Sequence, residues 1–148
     1  MRISLLALVL LCSTAAHAQS GAAPLTTDPL SVVRENVAAQ SAHDLDRFLA
    51  TFADTVEYHI QKTGPVRDSV NVVLHHELRS GYGQVFKDMP DTRFEILDEM
   101  VSGSIVVTTE RITGFPGYAS LTGVAVYRVR NGRIDALWTF STGENPGF

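Results

Sequence analysis

The stretch that most limits what this chain can fold into is residues 101–140, which reads as a run of long antiparallel strands. Residues 101–113, 121–130 and 134–140 are rich in β-branched and aromatic side chains, and they are parted by Gly114-Phe115-Pro116-Gly117 and by Asn131-Gly132. Both residues of an Asn-Gly pair tolerate positive φ, as a two-residue hairpin turn requires. If such a sheet is curved, its inner face is the place for a pocket in so small a protein. One residue in it is out of character: Glu110 interrupts a strand otherwise built of apolar residues and threonine. Side chains alternate faces along a strand, so Val106, Thr108, Glu110 and Ile112 share one face. A carboxyl group enclosed by apolar walls is in the setting that general acids and bases use near neutral pH. The spacing leaves a second reading open, in which Glu110 pairs with Arg111 or Arg128 at a sheet edge or sits at the pocket mouth.

Length and composition bound the rest. A chain of 148 residues with 45% hydrophobic content supports one domain with its own core. Residues 3–12 form an apolar run after Arg2, and Ala16-His17-Ala18 follows with the small-x-small pattern of a cleavage site. This predicts a signal peptide over residues 1–18, cleaved after Ala18, and a secreted or periplasmic protein starting at Gln19. The single cysteine, Cys12, lies within that leader, so the mature chain is expected to carry no disulfide and no cysteine metal site. Lipid modification of Cys12 competes with cleavage, but Leu11 before it is bulkier than such processing accepts. A formal charge of −4 with scattered Lys and Arg argues against a nucleic-acid partner. No cofactor and no metal are expected, nor any membrane insertion once the leader is removed.

Residues 19–27 read as a disordered linker. Asp28-Pro29 marks a helix start, with Leu30, Val33, Val37 and Ser41 along one side and Arg34, Glu35 and Gln40 on the other. A second helix is predicted over residues 44–52, a strand over 55–61, a turn over 62–69 and a partner strand over 70–74. A third helix over 76–87 ends at Met89-Pro90, and a strand over 93–100 leads into the long run. Residues 143–148 read as a flexible tail. Helices first and strands after them make an α+β pattern, a cone-shaped, strongly curved antiparallel sheet covered by three helices.

Several stretches make the chain recognisable: Asp44-Leu45-Asp46 before the second helix, Phe52-Ala53-Asp54 at its end, and Val126-Tyr127-Arg128-Val129-Arg130-Asn131-Gly132-Arg133-Ile134. With residues 33–54 as a whole, they resemble the nuclear transport factor 2-like superfamily, in particular its SnoaL-like and ketosteroid-isomerase-like branch. The resemblance covers nearly all of the expected mature chain. It implies the NTF2-like or cystatin-like cone over residues 28–142, a homodimer through the outer face of the sheet, and a small hydrophobic or carbonyl-bearing ligand. It also permits a check on chemistry. The isomerase's helix-one tyrosine falls on Asn36, its strand-one aspartate near Tyr58 and its late-strand aspartic acid near Ala125, so the standard isomerase mechanism is not retained. The same comparison implies that the face bearing Val106, Thr108 and Glu110 looks inward, with Tyr58, Tyr82 and Trp138 as wall residues. The site so implied has Glu110 as its acid or base and Asn36, Tyr58, Tyr82, Thr108 and Trp138 around the ligand.

Other candidates weigh less. Neighbours on a strand face opposite ways, so if Tyr58 points in, His59 points out. His75-His76-Glu77 lacks the i, i+4 spacing that sets two imidazoles on one helical face. Asp98 and Glu99 are adjacent, hence not a catalytic pair, and the aromatic residues are mostly core. Two functions remain: cofactor-free acid/base catalysis through Glu110, of the isomerase, lyase or hydrolase type, or a non-catalytic small-ligand-binding or dimeric accessory module.

Overall fold

The computed structural model describes residues 27–60 and 69–141. The expected signal peptide, nearly all of the linker before Asp28, the turn after Ile60 and the tail lie outside the described residues. The chain runs α1 (Pro29–Ser41), α2 (Leu45–Ala50), β1 (Phe52–Ile60), β2 (Ser69–Leu74), α3 (His75–Asp88), β3 (Arg93–Ser102), β4 (Ile105–Thr113), β5 (Leu121–Arg130) and β6 (Arg133–Ser141).

Each helix start has a local cause. Asp28 accepts hydrogen bonds from the Ser31 amide at 2.9 Å and the Ser31 hydroxyl at 2.6 Å, ahead of a proline whose missing N–H costs nothing there. Asp44 accepts from the Arg47 amide at 3.1 Å, and Glu77 reaches back to the Leu74 amide at 2.8 Å. The second helix is shorter than its periodicity predicts. Thr51 ends it by donating its hydroxyl to the Phe48 carbonyl at 2.6 Å, while its own carbonyl accepts from the Ile134 amide at 2.8 Å. Phe52 is thereby drawn into β1, because pairing with β6 satisfies more backbone than one further helical turn would.

The six strands form one sheet in the order β2-β1-β6-β5-β4-β3. Every pair is antiparallel except β1 with β6, which is parallel. Residues 101–113 are not a single strand: Gly103 at φ 57° turns the chain, so Val101 and Ser102 close β3 and β4 begins at Ile105. The Asn131-Gly132 turn is as expected, with both residues at positive φ (53° and 71°) between Arg130 and Arg133. Register shifts at Phe52/Glu57, Ile96/Asp98 and Arg128/Val129 insert irregularities that bend the sheet. Its concave face receives the helices. Val32, Val33, Phe48, Leu49 and Phe52 pack there against Val56, Val106, Tyr127, Val129 and Ile134.

Candidate functional site

The core does not fill the cone. A cavity of about 400 Å3 remains between α1, α3 and the inner sheet face, walled by Phe48, Phe52, Phe86, Phe94, Ile112, Leu121, Val124, Leu137 and Phe140 among others. Into this apolar chamber project Asn36, Gln40, His43, Tyr58, Tyr82, Glu110 and Tyr127.

Glu110 arrives there by strand parity. In β4, Val106, Thr108 and Glu110 are buried and the residues between them are not, so the face they share is the concave one. Neither ion pair considered for Glu110 forms. Arg111 bonds to Glu95 at 3.3 Å, and Arg128 bonds to Asp135 at 2.7 Å with Glu57 also in reach. Glu110 instead receives two hydroxyl hydrogens on a single oxygen: Thr108 Oγ1 donates to Oε1 at 2.6 Å and Tyr127 OH donates to it at 2.8 Å. Its cross-strand partner on β5 is Gly123, which has no side chain to cover it. A Cβ added there would meet the Phe140 carbonyl oxygen at 3.0 Å, so the two strands already crowd that point. Among the described residues the one fully buried side-chain polar atom without a hydrogen-bond partner is His59 Nε2, which has the Glu57 carboxylate 3.6 Å away. Oε2 of Glu110 carries none of these hydrogen bonds, and the residue lines the cavity.

The opposite wall supplies a pair of phenols. Tyr58 from β1 and Tyr82 from α3 bring their hydroxyls to 3.3 Å. Burial raises the pKa of Tyr58 above the ordinary 10.0; the bond with Tyr82 opposes this and the Glu110 charge adds to it. Burial pushes Tyr82 well above that value, with Tyr58 and Glu110 adding. Tyr127 rises for the same first reason, and the charge and hydrogen bond of Glu110 reinforce it. All three are thus neutral hydroxyl donors around one carboxyl group. Asn36 sits midway along α1, its Nδ2 donating to Thr51 Oγ1 at 2.7 Å.

Of the ligand-binding residues expected from sequence, the structure places Asn36, Tyr58 and Tyr82 on the cavity wall together with Glu110. Two expectations are corrected. Thr108 is fully buried and does not line the cavity; it touches Glu110 instead. Trp138 faces the outside of the sheet, where its ring stacks on His59 at 4.5 Å between centroids. The register explains it: Leu137 pairs with the inward Tyr127, so Trp138, opposite Val126, takes the other face. His59 accordingly points outward, with Nε2 3.6 Å from Glu57. Ala125, Asn36 and Tyr58, the positions equated with the isomerase's working groups, all face the cavity.

Sequence reasoning missed Tyr127 as a partner of Glu110 and Gln40 and His43 as wall residues. Gln40 could have been found, since it lies one turn beyond Asn36. His43 could not, because its left-handed backbone (φ 54°) after the helix end turns it back toward Phe86, against which its ring packs edge-on at 5.0 Å. Among the described residues no group of His, Asp or Glu is arranged to hold a metal ion, and no helix is long and apolar enough to cross a membrane.

A curved six-stranded sheet wrapped on three helices around a carboxyl-bearing cavity defines the NTF2-like, cystatin-like class of α+β protein. The chain belongs to the SnoaL-like domain family, whose pattern it matches over residues 33–137. No curated protein matches it. Among solved structures it is similar to a cystatin-fold protein from Novosphingobium aromaticivorans, with 22% identity, a TM-score of 0.63, and 76% of this chain and 97% of the other covered. It is similar to IdmH, a candidate polyketide cyclase from Streptomyces antibioticus, at 22% identity and TM-score 0.61, covering 78% and 92%. It also resembles an NTF2-like protein from Burkholderia pseudomallei at 24% identity and TM-score 0.61, covering 78% and 91%.

Proposed function

We propose that the protein binds a small, largely hydrophobic carbonyl compound in this cavity and moves a proton on it without a cofactor, with Glu110 as the base. The observation that carries this is the asymmetric Glu110 carboxylate: Oε1 is fixed by two hydroxyl donors, Oε2 by neither, and the residue lines an apolar chamber. A carboxylate so held needs no reorganisation before it accepts a proton. Oε2 takes a hydrogen from the carbon next to the ligand carbonyl, and the C–H electron pair moves onto the carbonyl oxygen as an enolate. The contact between Tyr58 and Tyr82 uses one of their two hydroxyl hydrogens, which leaves the other to donate to that oxygen. Return of the proton from Oε2 to the same or a conjugated carbon completes exchange or isomerisation. The apolar run over residues 3–12 followed by Ala16-His17-Ala18 supports placing this activity outside the cytoplasm, and the resemblance supports a homodimer.

The test is hydrogen–deuterium exchange at the α-carbon of a panel of cyclic ketones in D2O, followed by mass spectrometry. Wild-type protein accelerates exchange for the compounds it binds, and Glu110→Gln abolishes that acceleration while affinity stays close to wild type. Exchange that persists in Glu110→Gln removes Glu110 as the base. A second reading, a binder without turnover, is favoured by Asn36 and Ala125 standing where the isomerases carry working groups. It predicts binding with no exchange in either protein.

A further inference from the structure

The polarity of one wall position is fixed from behind. Thr51 has a single hydroxyl hydrogen, and it is committed to the Phe48 carbonyl at 2.6 Å. Its oxygen can therefore only accept from Asn36, which lies 2.7 Å away. An asparagine amide is otherwise free to present either end, but here the NH2 end must face Thr51, so the carbonyl end faces away from it. Asn36 lines the cavity, and Oδ1 makes no hydrogen bond among the described residues. Thr51 is not on the cavity wall and Asn36 is, so the end of the amide turned away from Thr51 is the end on the cavity side. Reversal of the amide would set two acceptors against each other in a buried place and leave both without a donor.

We infer that Asn36 is a specificity-determining residue whose Oδ1 is an obligatory acceptor, and that the ligand is a hydroxylated carbonyl compound with an O–H directed at Asn36. This rests on the cavity being the ligand site, as proposed above. The ligand then needs two polar features. Its carbonyl oxygen faces the Tyr58–Tyr82 hydroxyls, and its hydroxyl, on the edge next to α1, faces Asn36. A compound lacking that hydroxyl leaves Oδ1 dry and unpaired, the situation by which built sites reject close analogues most strongly.

The experiment uses matched pairs, 1-tetralone with its monohydroxylated isomers and 1-indanone with its own, each titrated into the protein by calorimetry and by observation of the Asn36 side-chain amide in NMR. At least one hydroxylated isomer is expected to bind tenfold or more tightly than its parent. Asn36→Leu brings that ratio to near one. Thr51 lies behind Asn36 and off the cavity wall, so Thr51→Val gives an independent reading should the leucine variant fail to fold. It frees the amide to turn, and the preference for the hydroxylated isomer falls while the parent is retained or gains. Parents and hydroxylated isomers that bind equally to wild type, or a preference that survives both variants, overturns the assignment of Asn36 and leaves the cavity as a ligand site. No binding by any pair overturns the ligand-site reading, and the role of Asn36 with it.

Discussion

Removal of the Tyr127 hydroxyl tests the arrangement at Glu110 most directly. Tyr127→Phe keeps the buried ring and its packing against the core, and deletes only the hydrogen bond of 2.8 Å to Oε1. A hydrogen bond to a charged acceptor contributes about 1.5–3 kcal/mol, and a buried site sheltered from water belongs in that range. Thr108→Val deletes the second donor, at 2.6 Å, with the same expectation. The two losses should not add. Both donors share one acceptor oxygen, so removal of either changes what the other is worth, and the double variant is expected to depart from the sum by about 1 kcal/mol. Urea unfolding of wild type, both single variants and the double variant at pH 7 gives the cycle. Strict additivity, or a loss below about 0.5 kcal/mol for each single variant, would refute the claim that two hydroxyls hold one charged oxygen. The same variants carry a functional readout. Both should slow α-proton exchange, because an unrestrained carboxylate spends less time in the productive orientation.

Alkaline pH provides a second test. Tyr58, Tyr82 and Tyr127 are all raised above 10.0 by burial, so the folded state holds their protons more tightly than the unfolded state. Their contribution to stability is therefore fully present below pH 10 and is lost as pH rises through the folded-state values. Tyrosinate absorbance from these three is expected to appear together with loss of circular dichroism, and ionisation near pH 10 in a still-folded protein would contradict their burial. Gly114→Ala should destabilise the fold by at least about 2 kcal/mol, since the new Cβ would lie 2.0 Å from the Asp91 carbonyl oxygen at a φ of 71°; an unchanged melting temperature would count against that close approach. Trp138→Phe, on the outer face, should leave ligand affinity within about twofold, and a tenfold loss would return Trp138 to the site.

Local chemistry made much of this fold legible. The Asn131-Gly132 turn, the two aspartate caps and the alternation through Val106, Thr108 and Glu110 are short-range signals, and each placed its element. The errors arose where a distant segment decided the outcome. Phe52 has the spacing of a helical residue, and only β6, some eighty positions later, makes it a strand residue. Gly103 inside a β-branched run has no neighbouring proline or asparagine to announce a turn. The family resemblance implies Trp138 as a wall residue, but its face is set by the register shift at Arg128/Val129, which leaves no mark in the sequence. Glu110 was found because a carboxyl group in an apolar strand breaks pattern. Tyr127, its partner, breaks none and was missed.

The parallel pairing of β1 with β6 has a consequence for how the molecule comes into being. The seam between the first and last strands joins Thr51 to Ile134, so it cannot close until the C-terminal hairpin exists. A chain emerging from a ribosome can assemble α1 and α2 early and the β3–β4 hairpin later, yet Glu110 stays in water until β5 and β6 arrive and β1 docks along them. Closing so long a loop carries an entropic cost that grows as ~(3/2)RT ln n and is recovered only at the last step. Shelter for the carboxylate thus requires the last strand, and a chain stopped short of residue 133 would hold every residue of the proposed acid/base apparatus without the β1–β6 seam that closes the interior around it.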